Sequence, residues 1–180
     1  MSNNPFNNNE NMFSVEDTED GIFHVESLEW HPSKEQGKLT SLASGSNVLL
    51  VATKNNFLIR WNIETDAFEE IQISKKSDDF IYKVFINTTG DHSIISMNSK
   101  TNYYIHTSKS KPILLKKWNG LKIESVAWNA SIEQKDNTKP FLIGTTQGVI
   151  YETMIEKSRE KYLKMVYSVN EGIDQRYNTI

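Results

Sequence analysis

One short pattern, two apolar runs around a polar turn, recurs along this chain and limits its fold more than any other feature. The clearest copy occupies residues 140–152, where Phe141, Leu142 and Ile143 precede, and Val149, Ile150 and Tyr151 follow, a turn held between Gly144 and Gly148. Apolar β-formers on both sides of a glycine-bounded polar turn make a β-hairpin. Residues 50–59 align with 142–151 without a gap. A third copy, at 94–105, fits if its turn is about two residues longer. A recurring unit of this size buries its apolar surface against the next copy, so the repeat dictates an array.

The flanking sequence extends each hairpin to four strands. Those expected are 39–44, 48–53, 57–62 and 68–73, then 81–86, 93–97, 103–107 and 113–118, then 123–128, 141–144, 149–155 and 162–169. The connections are short apart from the polar insertion 129–139, read as an exposed loop. Short connections give antiparallel meanders, because a parallel crossover takes about a dozen residues or more. First-strand starts near 40, 82 and 124 give a period of about 42, in the range of four-stranded propeller blades and outside that of ankyrin or tetratricopeptide units. Residues 156–164 have a helix-friendly composition but no cap, and are expected to form no more than a turn. The implied fold class is all-β: a partial β-propeller of about three four-stranded antiparallel blades, at 39–73, 81–118 and 123–169.

Ahead of the first blade, residues 22–30 alternate as a strand does, and His31 and Pro32 end it. A propeller chain commonly supplies an outer strand from this place to close its ring. Residues 1–20 combine six asparagines before residue 12 with the acids Glu16, Asp17, Glu19 and Asp20, a composition that cannot offset its own ordering entropy. The expected division is a disordered leader, 1–20, and a propeller, 21–177.

A formal charge of -3 gives no global attraction to nucleic acid. With no cysteine, disulfides, thiolate metal sites and a cysteine nucleophile are excluded. No run approaches the roughly 18 apolar residues of a membrane span, and no signal-peptide core opens the chain. The expectation is a cytoplasmic protein, in which the sequons at Asn87 and Asn129 are chance matches. His24, His31, His92 and His106 are scattered singly and read as surface or turn residues, so no metal or other cofactor is expected. Residues 144–148 lack the Lys-Ser/Thr ending and following helix of a phosphate loop, and no nucleophile elbow occurs. No catalytic residue is therefore assigned, and the chain is not expected to be an enzyme.

Trp61-Asn62 resembles the Trp-Asp step of WD-type blades, and with Trp30, Trp118 and Trp128 it reads as packing between blades. Phe85, Trp128, Leu142, Ile143 and Tyr151 are the expected blade core, and Gly90, Gly144 and Gly148 the turns. Charge is polarised: between Asp91 and Glu124 there is no acid, but Lys100, Lys109, Lys111, Lys116, Lys117 and Lys122 are present. Such lysines discourage edge-to-edge pairing of an outer strand. Alternatively Lys109, Lys111, Lys116 and Lys117 form a surface for anionic lipid headgroups or an acidic partner.

Three stretches carry a family resemblance. Phe80-Ile81-Tyr82-Lys83-Val84-Phe85-Ile86-Asn87-Thr88-Thr89-Gly90-Asp91-His92, then Gly120-Leu121-Lys122-Ile123-Glu124-Ser125-Val126-Ala127-Trp128-Asn129, then residues 142–152 resemble the N-terminal propeller of the deep-orange family, vacuolar protein sorting subunit eighteen. The resemblance implies a non-catalytic scaffold subunit of the HOPS and CORVET tethers, acting in vesicle docking and fusion and peripheral on late endosomal, lysosomal or vacuolar membranes. The partners implied are other tethering-complex subunits, with peripheral contact to anionic membranes and neither nucleic acid nor a small-molecule substrate. Family members continue into a helical solenoid and a cysteine-rich RING finger, which this cysteine-free sequence lacks. Three blades leave open faces, so the expectation is the start of a longer product rather than a ring completed by another chain. The rival readings are a generic WD-type scaffold outside vesicle traffic, a hydrolase with its site on the propeller axis, and a gene fragment without function.

Overall fold

The computed structural model describes residues 31–129 and 137–169. The leader 1–20, the expected strand 22–30 and most of the 129–139 insertion lie outside the described residues. The chain divides into two compact units, Met1–His31 and Pro32–Ile180, and the blades belong to the second.

Twelve strands occur in order: β1 Leu39–Gly45, β2 Val48–Thr53, β3 Phe57–Asn62, β4 Ala67–Gln72, β5 Ile81–Ile86, β6 His92–Met97, β7 Asn102–His106, β8 Ile113–Leu114, β9 Ile123–Ala127, β10 Phe141–Thr145, β11 Val149–Glu156 and β12 Arg159–Ser168. They pair as three four-stranded antiparallel sheets, β1 to β4, β5 to β8 and β9 to β12, each in chain order. These are the blades of an unclosed, partial β-propeller. First strands open at Leu39, Ile81 and Ile123, so 81 − 39 and 123 − 81 both give a repeat of 42 residues.

Backbone hydrogen bonds repeat with that period. Just before each first strand a carbonyl, of Lys38, Phe80 or Lys122, accepts from Lys54, Asn98 or Thr146 at 2.8, 2.9 and 3.0 Å. One residue is bulged at the same place in each first strand, because Leu39, Ile81 and Ile123 pair with neighbours adjacent to those of Ser41, Lys83 and Ser125. A bulge adds local twist and re-aims its side chain. The bulged residues are Thr40, Tyr82 and Glu124.

The central turns are also equivalent, which corrects the longer turn expected in the third copy. Asn56 donates to Thr53, Lys100 to Met97 and Gly148 to Thr145, at 3.2, 3.1 and 3.0 Å. The donors have φ of 67°, 66° and 74°. All three turns therefore have one length. Left-handed backbone favours glycine and tolerates asparagine, so the lysine in the middle copy conceals the match. In the outer copies Thr53 and Thr145 close the turn with their hydroxyls, which exchange hydrogen bonds with the backbone of Phe57 and Val149 at 3.1–3.3 Å.

Two outer strands differ from expectation. The expected strand 113–118 is only β8, followed by a 3₁₀ turn, Lys116–Trp118. That turn brings Trp118 inward to full burial. The helix-friendly stretch 156–164 forms the Lys157-Ser158 hairpin turn and the opening of β12, because pairing with β11 from Glu156↔Arg159 onward supplies hydrogen bonds that a short uncapped helix lacks.

The apolar core lies between blades. Leu50, Ala52, Leu58, Ile71 and Ile73 of the first blade meet Ile81, Val84, Ile95, Met97 and Ile105 of the second. On the other side Ile94, Tyr104, Leu115 and Trp118 meet Ile123, Phe141, Ile143 and Ile155 of the third. The middle blade is thus covered on both faces, and all six residues of β6 are buried. Alternate β6 side chains serve opposite interfaces, as strand geometry requires.

Among the expected core residues, Ile143 is fully buried, and Phe85, Trp128 and Tyr151 pack partly buried against the second cluster. Leu142 is 39% exposed, because its chain neighbours Phe141 and Ile143 point toward blade 2 and strand alternation turns it to the other face. Gly90 and Gly148 occupy left-handed turns. Gly144 instead sits inside β10 and not in a turn, and its missing side chain leaves room for Ser125 of β9, whose Oγ would lie 2.5 Å from a Cβ there. The insertion also differs at its end: Thr138 is buried, with both its amide and its hydroxyl hydrogen-bonded to Ile155.

Candidate functional site

The expected lysine surface separates into two places. Lys116 and Lys117 lie on the 3₁₀ turn, where Lys117 donates its amide to Glu160 Oε1 at 3.0 Å and its ammonium to the Lys161 carbonyl. These contacts tie the turn to β12 and occupy Lys117. Lys109 and Lys111 lie in the β7–β8 loop, on the rim formed by the outer hairpins. Lys122 is elsewhere again, donating to Asn98 Oδ1 and lying 4.0 Å from the Tyr82 ring centroid.

At the rim, the β7–β8 loop of blade 2 and the β11–β12 turn of blade 3 enclose a cleft of about 280 Å³ lined by His106, Ser108, Lys109, Lys157 and Ser158. Its blade-2 wall is firmly placed. The Lys109 amide donates to the His106 carbonyl at 2.9 Å, the Thr107 amide to the Asp91 carbonyl at 2.8 Å, and Arg60 of blade 1 donates to the His106 carbonyl at 3.3 Å. Arg60 is itself held by Glu69. The blade-3 wall is a tight turn in which both Lys157 and Ser158 have positive φ, of 51° and 65°. Lys109 Nζ crosses between the walls to donate to Ser158 Oγ at 3.3 Å. Sequence reasoning found Lys109 but missed Lys157 and Ser158, which lie in another blade 48 residues on (157 − 109).

His106 of the cleft lining and its neighbour His92 are buried, not at the surface as expected. Their rings meet edge to face at 5.2 Å, and His92 Nδ1 is 2.7 Å from Tyr104 Oη. Strand alternation puts both on the face of blade 2 that packs on blade 3. Trp61 packs edge-on against Phe68 at 4.9 Å and donates Nε1 to Asp66 at 3.0 Å, so its described contacts lie within its own hairpin.

Two of the three bulged residues, Tyr82 and Glu124, form a further cluster with Lys83 on the first strands of blades 2 and 3. Tyr82 Oη donates to Glu124 Oε2 at 2.6 Å, while Lys83 donates to Glu124 Oε1 and to its carbonyl. The Lys83 hydrogen bond, aided by that of Tyr82, holds the Glu124 carboxyl below the usual carboxylate range. The same bond to Glu124 raises the Tyr82 phenol. Acid and base are mutually satisfied, so the cluster braces blade 2 to blade 3. Among the described residues no group of three or more His, Cys, Asp or Glu is placed to hold a metal ion.

Known proteins share this bladed repeat. The model of the Pep3/Vps18/deep orange β-propeller domain matches residues 21–177. The chain belongs to this family. It is 28% identical over 157 residues to "Vacuolar sorting protein 18" of Arabidopsis thaliana, and 27% identical over 159 residues to "Vacuolar protein sorting-associated protein 18 homolog" of Danio rerio; each match covers 83% of this chain. The chain spans 16% of the length of each of these relatives. Among solved structures, the crystal structure of the computationally designed Ika4 protein matches with a TM-score of 0.50 and 14% identity, over 81% of this chain and 79% of that one. The Ika4 likeness concerns the fold alone. Among the described residues, no helix is long and apolar enough to cross a membrane.

Proposed function

We propose that this Vps18-type propeller segment is a non-catalytic scaffold in a membrane-tethering assembly of the endolysosomal or vacuolar sorting pathway, of the HOPS or CORVET kind. The observation that carries the reading is the family match over residues 21–177, with curated relatives named as vacuolar sorting proteins. The packing of the blades suits the role. Residues that interlock across two interfaces hold the rim loops and strand edges in fixed relative positions, so partner subunits meet a preformed surface and lose little ordering entropy on docking. Tethering would be passive contact, without chemical turnover, at the cytoplasmic face of late endosomal, lysosomal or vacuolar membranes.

The test is to tag the endogenous protein that carries this sequence, crosslink gently, and identify what co-purifies and co-fractionates. Co-purification with other vacuolar protein-sorting subunits on vacuolar or late-endosomal membranes is the expected result. Partners confined to nuclear or signalling complexes would overturn the proposal in favour of a generic WD-type scaffold. Turnover of a hydrolase substrate by the purified chain would remove the non-catalytic part.

A further inference from the structure

We propose that the rim cleft between blades 2 and 3 binds a phosphate monoester, presented on the headgroup of an anionic lipid. The inference goes beyond the tethering role and rests on the cleft alone. Its lining residues are two lysines, Lys109 and Lys157, two serines, Ser108 and Ser158, and His106, with no acidic residue; Ser108 Oγ lies 2.7 Å from His106 Nδ1, which fixes that serine against the cleft wall. Hydrogen-bond donors without a competing carboxylate suit a charged oxyanion, because ammonium and hydroxyl donors form strong charge-assisted bonds to phosphate oxygens.

Three observations make the cleft more than a scatter of surface lysines. Lys109 is anchored at its backbone, by the Arg60 bond to the His106 carbonyl and by its own amide in the turn. Its ammonium donates to a neutral hydroxyl, Ser158 Oγ, and an ammonium has three donors, so two remain for a ligand. Among the described residues neither Lys109 nor Lys157 forms an ion pair, whereas Lys83, Lys161 and Arg60 each have a carboxylate. Glu156, which interacts electrostatically with the neighbouring Lys157, is paired with Lys161 and does not line the cleft.

Size and surroundings narrow the ligand. A volume of about 280 Å³ is below the usual range for drug-sized organic molecules and suits one polar headgroup. Lys111 and Arg159 are exposed close by in sequence, on the two elements that wall the cleft, and neither forms an ion pair among the described residues. A soluble phosphate would leave that additional charge unused. An anionic membrane surface would use it, since basic residues near such a surface each add attraction. The proposal therefore replaces Lys116 and Lys117 of the sequence-based surface with Lys157, Ser158 and Arg159.

The test measures binding of the full chain to phosphatidylcholine vesicles containing a phosphatidylinositol monophosphate, against vesicles of equal surface charge containing phosphatidylserine. Tighter binding to the phosphoinositide vesicles, competed by a soluble inositol bisphosphate, is expected. The double variant Lys109→Glu/Lys157→Glu should bind about tenfold or more weakly, given roughly 1 kcal/mol per basic residue near a membrane. The variant Ser158→Ala, which keeps the charge, should also lose preference for the phosphoinositide. Lys54→Glu/Lys75→Glu, the same charge change at the opposite loops, should not lose it, and thermal melts establish that all variants fold. Equal binding to both vesicle types, or equal loss in the Lys54/Lys75 variant, would overturn the proposal as mere charge attraction. Binding of a soluble inositol phosphate without vesicle binding would overturn the lipid source, as would binding to a phosphopeptide alone.

Discussion

The two interfaces of the middle blade are built on one backbone repeat and filled differently. Blade 1 meets blade 2 through aliphatic side chains, with Leu50, Ile71, Ile81 and Ile95 at its centre. Blade 2 meets blade 3 through Tyr104, Trp118 and Phe141, with the Trp128 ring stacked on Phe141 at 4.7 Å. The outer strands supply the reason. β4 has six residues and delivers Ile71, with Ile73 just after it, into the first gap. β8 has two, and the 3₁₀ turn that replaces the rest of it fills the second gap with Leu115 and Trp118. Unpartnered buried polar atoms accompany both interfaces, Asn56 Oδ1 beside the first and Asn102 Oδ1 beside the second, but only in the second does one of them, Trp118 Nε1, belong to the apolar cluster itself. Close-packed aliphatics provide adhesion, and aromatic rings with preferred edge and stacking geometries provide a defined fit.

If that contrast is right, the largest loss belongs to the aromatic interface. Trp118→Ala removes the largest fully buried side chain and should cost about 4 kcal/mol in urea unfolding. Ile95→Ala, the equivalent injury to the aliphatic interface, should cost about 3 kcal/mol. A greater cost for Ile95→Ala would break the comparison. Asn102→Ala sharpens it by testing the polar part alone. Asn102 donates to the carbonyls of Trp118 and Leu121 at 2.9 and 2.8 Å, fixing the loop that leads from the 3₁₀ turn to β9. Loss of both bonds leaves buried acceptors unpaired and should cost about 2 kcal/mol. Asn102→Asp should be no better, since it lacks the donors.

The same contrast explains what could be read from the sequence. Strands β1 to β3, β5 to β7 and β9 to β11 were legible because strand alternation and left-handed turn residues are local properties. The 42-residue step was legible for the same reason. β8 was not, since Leu115 and Trp118 look like the continuation of an outer strand until the Trp118 amide donates back to the Leu115 carbonyl and turns the chain away from β7. Leu142 read as core because apolar character does not say which face of a blade is covered. The rim cleft was half visible: the lysines between Asp91 and Glu124 drew attention to Lys109, but its neighbours Lys157 and Ser158 come from the next blade. Membership of one cleft depends on how repeats stack, and one-dimensional charge patterning does not contain that information.

The smallest expected effect concerns acid, and it also separates the two interfaces. Where blade 1 meets blade 2 near the bulges, the cross-blade bond is Val84 N–H to Ser41 Oγ at 3.2 Å, which has no titratable group. Where blade 2 meets blade 3, the brace is Glu124 with Lys83 and Tyr82. The folded Glu124 pKa lies below its ordinary value of 4.5, so the brace contributes stability fully above that value and loses it as pH falls through the lower, folded value. Glu124 is 43% exposed, so solvent screening keeps the effect small. Urea midpoints of the protein and of Glu124→Gln, measured from roughly pH 3 to 7, should differ most near neutrality and converge in acid. Parallel curves would mean that the charge on Glu124 contributes nothing, and that the two interfaces differ in packing but not in electrostatics. Convergence would localise an acid-sensitive link to the interface that also forms the rim cleft, leaving the aliphatic interface as the part that holds when the brace is lost.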